Sequence, residues 1–258
     1  MRYMIMHKTS AYWEGGAKPT PEVMQRVGGM IGELQQSGVL RDGEGLGPSS
    51  QGARVRLADG KIMVTPGPFG GVGALPARYA IYRAGSVDQA AEIAARFGGI
   101  FGDGVVDVRP VNEMWDLGFA QKPAGLTTRR YMAVVNAGAA SEAGAPLNPE
   151  QRSALKAFAD DLGRMDMFLG IGHFEPGAKG KRLQPAVPAT SRATSVATPT
   201  VQAKFRVLDG PFTETKELIG GFVTVEAPSI EEAVRWAQRY IEAVDVEEVD
   251  VRGLESEP

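Results

Sequence analysis

Short apolar runs and amphipathic stripes alternate along this chain in an order that occurs twice. Tyr3–His7 is short and mostly apolar, as a strand would be. After it, Val23, Val27, Met30, Ile31 and Leu34 recur at helical spacing. Thr20 stands where an N-cap belongs, Pro21 at the first helical position and Gly38 at the stop. A strand near Val39–Leu40 and a glycine-rich turn come next. "ARVRLADGKIMV" then alternates with a period of two around Asp59-Gly60, which signals a hairpin. Tyr79–Arg83 reads as another strand. Ser86 with Gln89 opens a second helix as a capping box, and Val106–Val111 closes the set. The predicted order is β-α-β-hairpin-β-α-β.

The second half of the chain repeats it. "RYMIMHK" (Arg2–Lys8) aligns with "RYMAVVN" (Arg130–Asn136), and "TPE" with "NPE" at the same offset. Asn148, Pro149, Leu155, Phe158 and Leu162 repeat the first helix. Farther on, Val64–Val111 aligns without a gap with Val207–Leu254, and about 14 of these 48 positions are identical. Such agreement in one register marks an internal repeat. The sequence therefore predicts two copies of one domain, residues 1–120 and 129–258, joined near 112–129. Between them, "GEGL" (Gly43–Leu46) faces "GIGHFEP" (Gly170–Pro176) at one offset, while matching "LGP" with "LQP" gives another. Both alignments stay open at this point.

A β-α-β-β-α-β order predicts an α+β fold, an antiparallel sheet with both helices on one face. The bare sheet face needs cover. Two copies in one chain supply it by packing sheet to sheet, with ligand clefts between the sheets or under the hairpins. The 258 residues suit two domains, and 43% hydrophobic residues suffice for a core. A net charge of −3 gives no general attraction to nucleic acid or anionic membrane. The lack of cysteine excludes disulfides, thiolate metal sites and cysteine nucleophiles. No signal peptide or membrane span is recognisable, so the expectation is a soluble cytoplasmic protein.

"DGPFTETKELIGGF" (Asp209–Phe222) and "GEGLGPSSQGARVR" (Gly43–Arg56) resemble the YCII-related family, in particular its DGPF branch. The opening "RYM", the helix after it and "VDVRPV" fit the same resemblance. It implies a ferredoxin-like fold assembled as a dimeric α+β barrel, here within one chain. It also implies a role that is largely unassigned, with a suggested His–Asp enzymatic pair and a link of some members to sigma factors of the extracytoplasmic-function type. The family histidine is not carried over, since its position is Val23 in one copy and Gln151 in the other.

The first copy is an internal control. "PGPFGGVGALPARY" (Pro66–Tyr79) keeps Gly-Pro-Phe but lacks the charges of Asp209, Glu214, Lys216 and Glu217. The triplet is thus scaffold, with Phe expected in the core, and the charges are either functional or a solvated face. Candidate catalytic groups are Asp209 and His7, the latter at a strand end where a general base would reach a cleft. Glu44, Glu214 and Lys216 are candidate ligand-binding groups. One composite site holding Glu44 and Asp209 is a further expectation. His173 reads as a loop residue. No metal site and no cofactor motif is recognisable. Pro176–Lys204 is the extra length of the second copy, either a basic arm or an elongated hairpin.

Two functions stay open. One is a non-catalytic interaction or regulatory module with a protein partner in transcription. The other is a cofactor-independent enzyme or binder of a small-molecule ligand, using a carboxylate/histidine cleft between the domains. Oligomerisation is compatible with either. A membrane is excluded as partner, and nucleic acid is disfavoured.

Overall fold

The computed structural model describes residues 1–186, 205–212 and 218–255. It is a mixed α+β structure of two antiparallel six-stranded sheets packed on each other. In chain order the strands are β1 (Arg2–Lys8), β2 (Leu40–Gly45), β3 (Ala53–Ala58), β4 (Lys61–Pro66), β5 (Pro76–Ala84), β6 (Gly104–Pro110), β7 (Arg129–Asn136), β8 (Phe168–His173), β9 (Lys181–Pro185), β10 (Phe205–Asp209), β11 (Ile219–Glu226) and β12 (Val249–Leu254). The helices are α1 (Ala11–Glu14), α2 (Pro21–Gln36), α3 (Val87–Gly99), α4 (Ala139–Glu142), α5 (Pro149–Arg164) and α6 (Ile230–Val244).

The helix starts follow from local chemistry. Thr20, Ser86, Asn148 and Ser229 each accept a backbone N–H from the first turn, which offsets donors that have no intrahelical acceptor. Gly38 follows α2 with φ +72°, a conformation that favours glycine.

Each sheet draws strands from both halves of the chain. The first has the order β10-β9-β12-β1-β11-β2 and the second β4-β3-β6-β7-β5-β8. The helices mix likewise. Met30 and Leu34 of α2 pack with Ala237 and Ile241 of α6 over the first sheet. Ala94 and Phe97 of α3 pack with Phe158 and Leu162 of α5 over the second. The division of the sequence at 112–129 therefore does not divide the sheets: neither is confined to residues 1–120 or to 129–258.

The exchange happens at two short crossovers. After β2 the chain leaves the first sheet through Leu46–Gly52 and enters the second at β3; after β8 it makes the opposite crossing through Phe174–Gly180. Each crossing contains a 3₁₀ turn, Ser49–Gln51 or Gly177–Lys179, and begins with an isolated bridge, Leu46 to Val111 or Phe174 to Leu254. Leu46 and Phe174 thus take like places at the two crossings, and β3 and β9 each follow a 3₁₀ turn. The strand β9 thus belongs to the sheet, and in Pro176–Lys204 only residues 187–204 lie outside the described part.

The core has three parts, one under each helix layer and one between the sheets. Met4, Met6 and Phe222 of the first sheet meet Tyr79, Ile81, Met132 and Val134 of the second. Strand alternation does this sorting, because the neighbours Tyr3 and Ile5 point instead to the helices.

Two buried arginines hold the crossovers. Arg109 Nε donates to Gly47 O at 2.8 Å, its Nη1 to Ile219 O at 2.6 Å and its Nη2 to Glu14 Oε1 at 2.8 Å. Arg252 bonds Glu175 O through Nε at 3.1 Å and also through Nη2. Glu14 accepts the Ser49 backbone N–H at 2.8 Å, and Glu142 that of Gly177 at 2.9 Å. Burial works to raise the Glu14 carboxyl, but Ser49 and the Arg109 charge hold it below its ordinary value.

Candidate functional site

Gly-Pro-Phe braces the crossovers. The Gly67 N–H donates to Gly52 O and the Gly210 N–H to Gly180 O, so both glycines lie against the 3₁₀ turns. The Gly-Pro peptide bond is cis in both places. Phe69 and Phe212 are half-buried rather than in the core. They lie under Arg54 and Arg182, which in turn pair with the buried Asp107 and Asp250. The repeated "VDVR" thus supplies one residue to each of two anchors.

The charges of the DGPF stretch have a different setting. Asp209 ends the edge strand β10 with its side chain 76% exposed and pairs with Lys181 at 2.6 Å. Glu214, Lys216 and Glu217 lie outside the described residues. Asp209 and Glu44 sit on opposite edge strands of one sheet, five strand spacings or about 24 Å apart. The register also puts Asp209 on the face of Ile5 and Val251, which is the helix side. The expected meeting of Glu44 and Asp209 therefore does not occur.

His7 lies on the helix side as well. It is buried, with Nδ1 2.8 Å from the Tyr240 hydroxyl, and its ring fills the space beside Gly220 and Gly221. Burial, aided by the Arg109 charge, pushes it down to about 4, so it is neutral at neutral pH. His173 is a strand residue and not a loop residue: it ends β8, is buried, and accepts Arg78 Nε at 3.1 Å. Among the described residues, no group of three or more His, Asp or Glu side chains is placed to hold a metal ion.

Among the described candidates, Glu44 is the one that reaches this cleft. It pairs with Phe222 across β2 and β11, so both point between the sheets. There it borders a cavity of about 680 Å³ also lined by Ile81, Arg83, Leu169 and Arg130. The joining segment borders it with Glu113, Trp115, Pro123 and Leu126. That segment is pinned by Asp116, which accepts the Glu113 N–H at 3.1 Å and Arg129 Nη2 at 2.9 Å. The volume falls in the range of small-molecule sites.

Arg130 organises the cleft. It donates Nε and Nη2 to the two oxygens of Glu113, at 3.0 and 2.9 Å, and Nη1 to Glu44. The two carboxyls that share it are driven apart. Burial pushes Glu44 up to about 7 despite the opposing Arg130 charge. Glu113 is held below its ordinary value, against its burial, by hydrogen bonds and charge from Arg130. Two carboxyls split in this way, one ionised and one near neutrality, is an arrangement suited to proton exchange.

Residues 130–254 match the model of the YCII-related domain. No curated protein and no solved structure is matched. The YCII-related region begins at Arg130, so it supplies that one arginine of the cleft, whereas Arg41, Glu44, Arg83 and Glu113 precede it. Its first two strands, β7 and β8, lie in the second sheet and its last four in the first. No helix among the described residues is long and apolar enough to cross a membrane.

Sequence reasoning missed Arg83, Glu113, Trp115 and Arg130. One signal was present for Arg130: the period of two places it on the same strand face as Met132 and Val134. At the matching positions of the other half, Arg2 stands for Arg130 but Gly172 stands for Glu44, so this pair of charges is particular to one end of the molecule.

Proposed function

We propose that the chain is a tandem duplication of a YCII-related domain of the DGPF branch. In this reading the ferredoxin-like units have exchanged their first β-α-β segments to form an α+β barrel. The barrel takes up a small molecule in the cleft between its sheets, and Glu44 exchanges a proton with that ligand. The observation that carries this is the place of Glu44: a largely buried carboxyl on the wall of a cleft of about 680 Å³, sharing Arg130 with Glu113, where burial pushes it up to about 7. Such a group is poised as general acid or base, in need of no other chemistry than its own. His7 and Asp209 stand outside this reading.

The sign of the pH dependence is set by Glu44. Its folded pKa is raised, so the folded form holds an extra proton between the ordinary carboxyl range and about 7. Its contribution to stability is complete below that window and is lost as pH rises through it, by up to about 3 kcal/mol. Asp42, Glu113, Arg41, Arg83 and Arg130 also border the cleft. The buried histidines act in the opposite direction. The difference in stability between wild type and Glu44→Gln isolates the one group. That difference should change between pH 5 and 8, about the span that a midpoint near 7 requires, and an infrared carboxyl band should titrate with it. A flat difference, with Glu44 titrating in the ordinary carboxylate range, would refute the proton-exchange role.

A second reading is favoured by the edge strand β4, where Ile62, Met63 and Val64 are exposed. An open apolar edge is a template for an added strand. The reading is a regulatory module whose partner pairs with β4, and its link to transcription comes from the sequence resemblance alone. Titration with a sigma factor of the extracytoplasmic-function type should then show binding that Met63→Lys with Val64→Lys removes. Equal binding by both forms, or none, would sink it.

A further inference from the structure

The cleft contains an arginine, Arg83, that no carboxylate among the described residues pairs with directly. Arg83 and Arg130 face each other across β5 and β7, on the same side of the sheet. Like charges directly opposed on a sheet are destabilising. Arg130 is neutralised by Glu113 and Glu44, and Arg41, at the rim, by Glu226 at 2.7 Å. The Arg83 guanidinium makes no hydrogen bond or ion pair with the described residues and acts on Glu113 only through space. It is half-buried on the cavity wall.

We propose that Arg83 anchors an organic anion, a carboxylate with a planar apolar body, whose ring lies in the pocket formed by Trp115, Ile81, Leu126 and Leu169. This rests on the cleft being the ligand site and adds the ligand's class. A guanidinium presents a planar fork that a carboxylate matches with two hydrogen bonds. The same cleft carries apolar surface for a ring, from Ile81, Trp115, Pro123, Leu126 and Leu169. Of the three carboxyls bordering the cleft, Glu113 takes two bonds from Arg130 and Glu44 the third, while Asp42, exposed at the rim, accepts the Gly43 N–H at 2.8 Å. Burial also keeps part of Glu44 protonated at neutral pH, which lowers its repulsion of an anion. A protonated Glu44 would donate to a second polar group of the ligand.

Trp115 provides the readout. The full chain is titrated by intrinsic fluorescence with benzoate and with its neutral counterpart benzamide, at neutral pH. Benzoate should give a saturable change, at least tenfold tighter than benzamide. Trp115→Phe should remove the change. Arg83→Met should weaken benzoate at least tenfold, with no loss of melting temperature, because Arg83 holds no internal hydrogen bond. Equal binding of benzoate and benzamide, unaffected by Arg83→Met, would overturn the anion anchor while leaving the cleft as a ligand site. No saturable change with either compound would overturn both.

Discussion

Gly67→Ala is expected to cost roughly 3 kcal/mol or more, a loss that places it among severe substitutions. A Cβ at Gly67 would lie 1.8 Å from Ser49 O, and one at Gly210 would lie 2.0 Å from Gly177 O. Both contacts are with backbone of the 3₁₀ turn inside a crossover, which no side-chain rotation relieves. That turn is tied down on its other side as well, by Glu14 at Ser49 and by Glu142 at Gly177. Gly70→Ala is the control. Nothing lies within 4 Å of its added Cβ, and its φ is not in the left-handed region. Chemical denaturation should show Gly67→Ala and Gly210→Ala strongly destabilised and Gly70→Ala within about 0.5 kcal/mol of wild type. Wild-type stability in Gly67→Ala would mean that the triplet does not brace the crossover.

This explains the repeated Gly-Pro-Phe differently from what its residue types suggest. The sequence shows that the triplet survives where its neighbouring charges do not, and hence that it is scaffold. It does not show what the triplet touches. Phe69 is an apolar residue among glycines and would ordinarily be assigned to the core; it instead lies beneath Arg54, 4.6 Å from the guanidinium carbon.

Helices and strands were legible because their signals are local: N-caps, stripes and alternation all act within a few residues. Which sheet a strand joins is not local. β1 has the same alternating pattern whether it pairs with strands of its own half or with β11 and β12 of the other. Exchange leaves the pairing chemistry unchanged and differs only at the short connections. The cleft was half legible for the same reason. Glu44 is conspicuous as a carboxyl in a glycine-rich stretch, but its partner Arg130 is 86 residues away and comes from the other half. For His7 the information was available. A period of two groups it with Tyr3 and Ile5, on the face that α6 covers.

Arg109→Met should be more damaging than the same change at Arg252, although the two arginines occupy matching places in "VDVRPV" and "VDVRGL". Every hydrogen-bonding arm of Arg109 has a partner: Gly47 O, Ile219 O and Glu14. Removing it deprives two carbonyls of their donor and takes one partner from the half-buried Glu14, which keeps its bonds from Ser49 and Thr9, at a cost of about 2–3 kcal/mol. Arg252 is just as buried but less well answered. Its Nη1 has no hydrogen-bond partner, and its nearest carboxylate, Glu142, is 3.7 Å away. A buried donor without a partner opposes folding, so its removal offsets part of what is lost with the two bonds to Glu175 O. The expected loss there is about 1–2 kcal/mol. Methionine keeps an unbranched apolar stem in both places, which limits cavity effects to a similar size. Urea unfolding with unchanged slopes would give the two values directly. Equal losses would show that the satisfied contacts of Arg109 contribute no more than burial of its stem, and that the two crossovers are held by their turns alone.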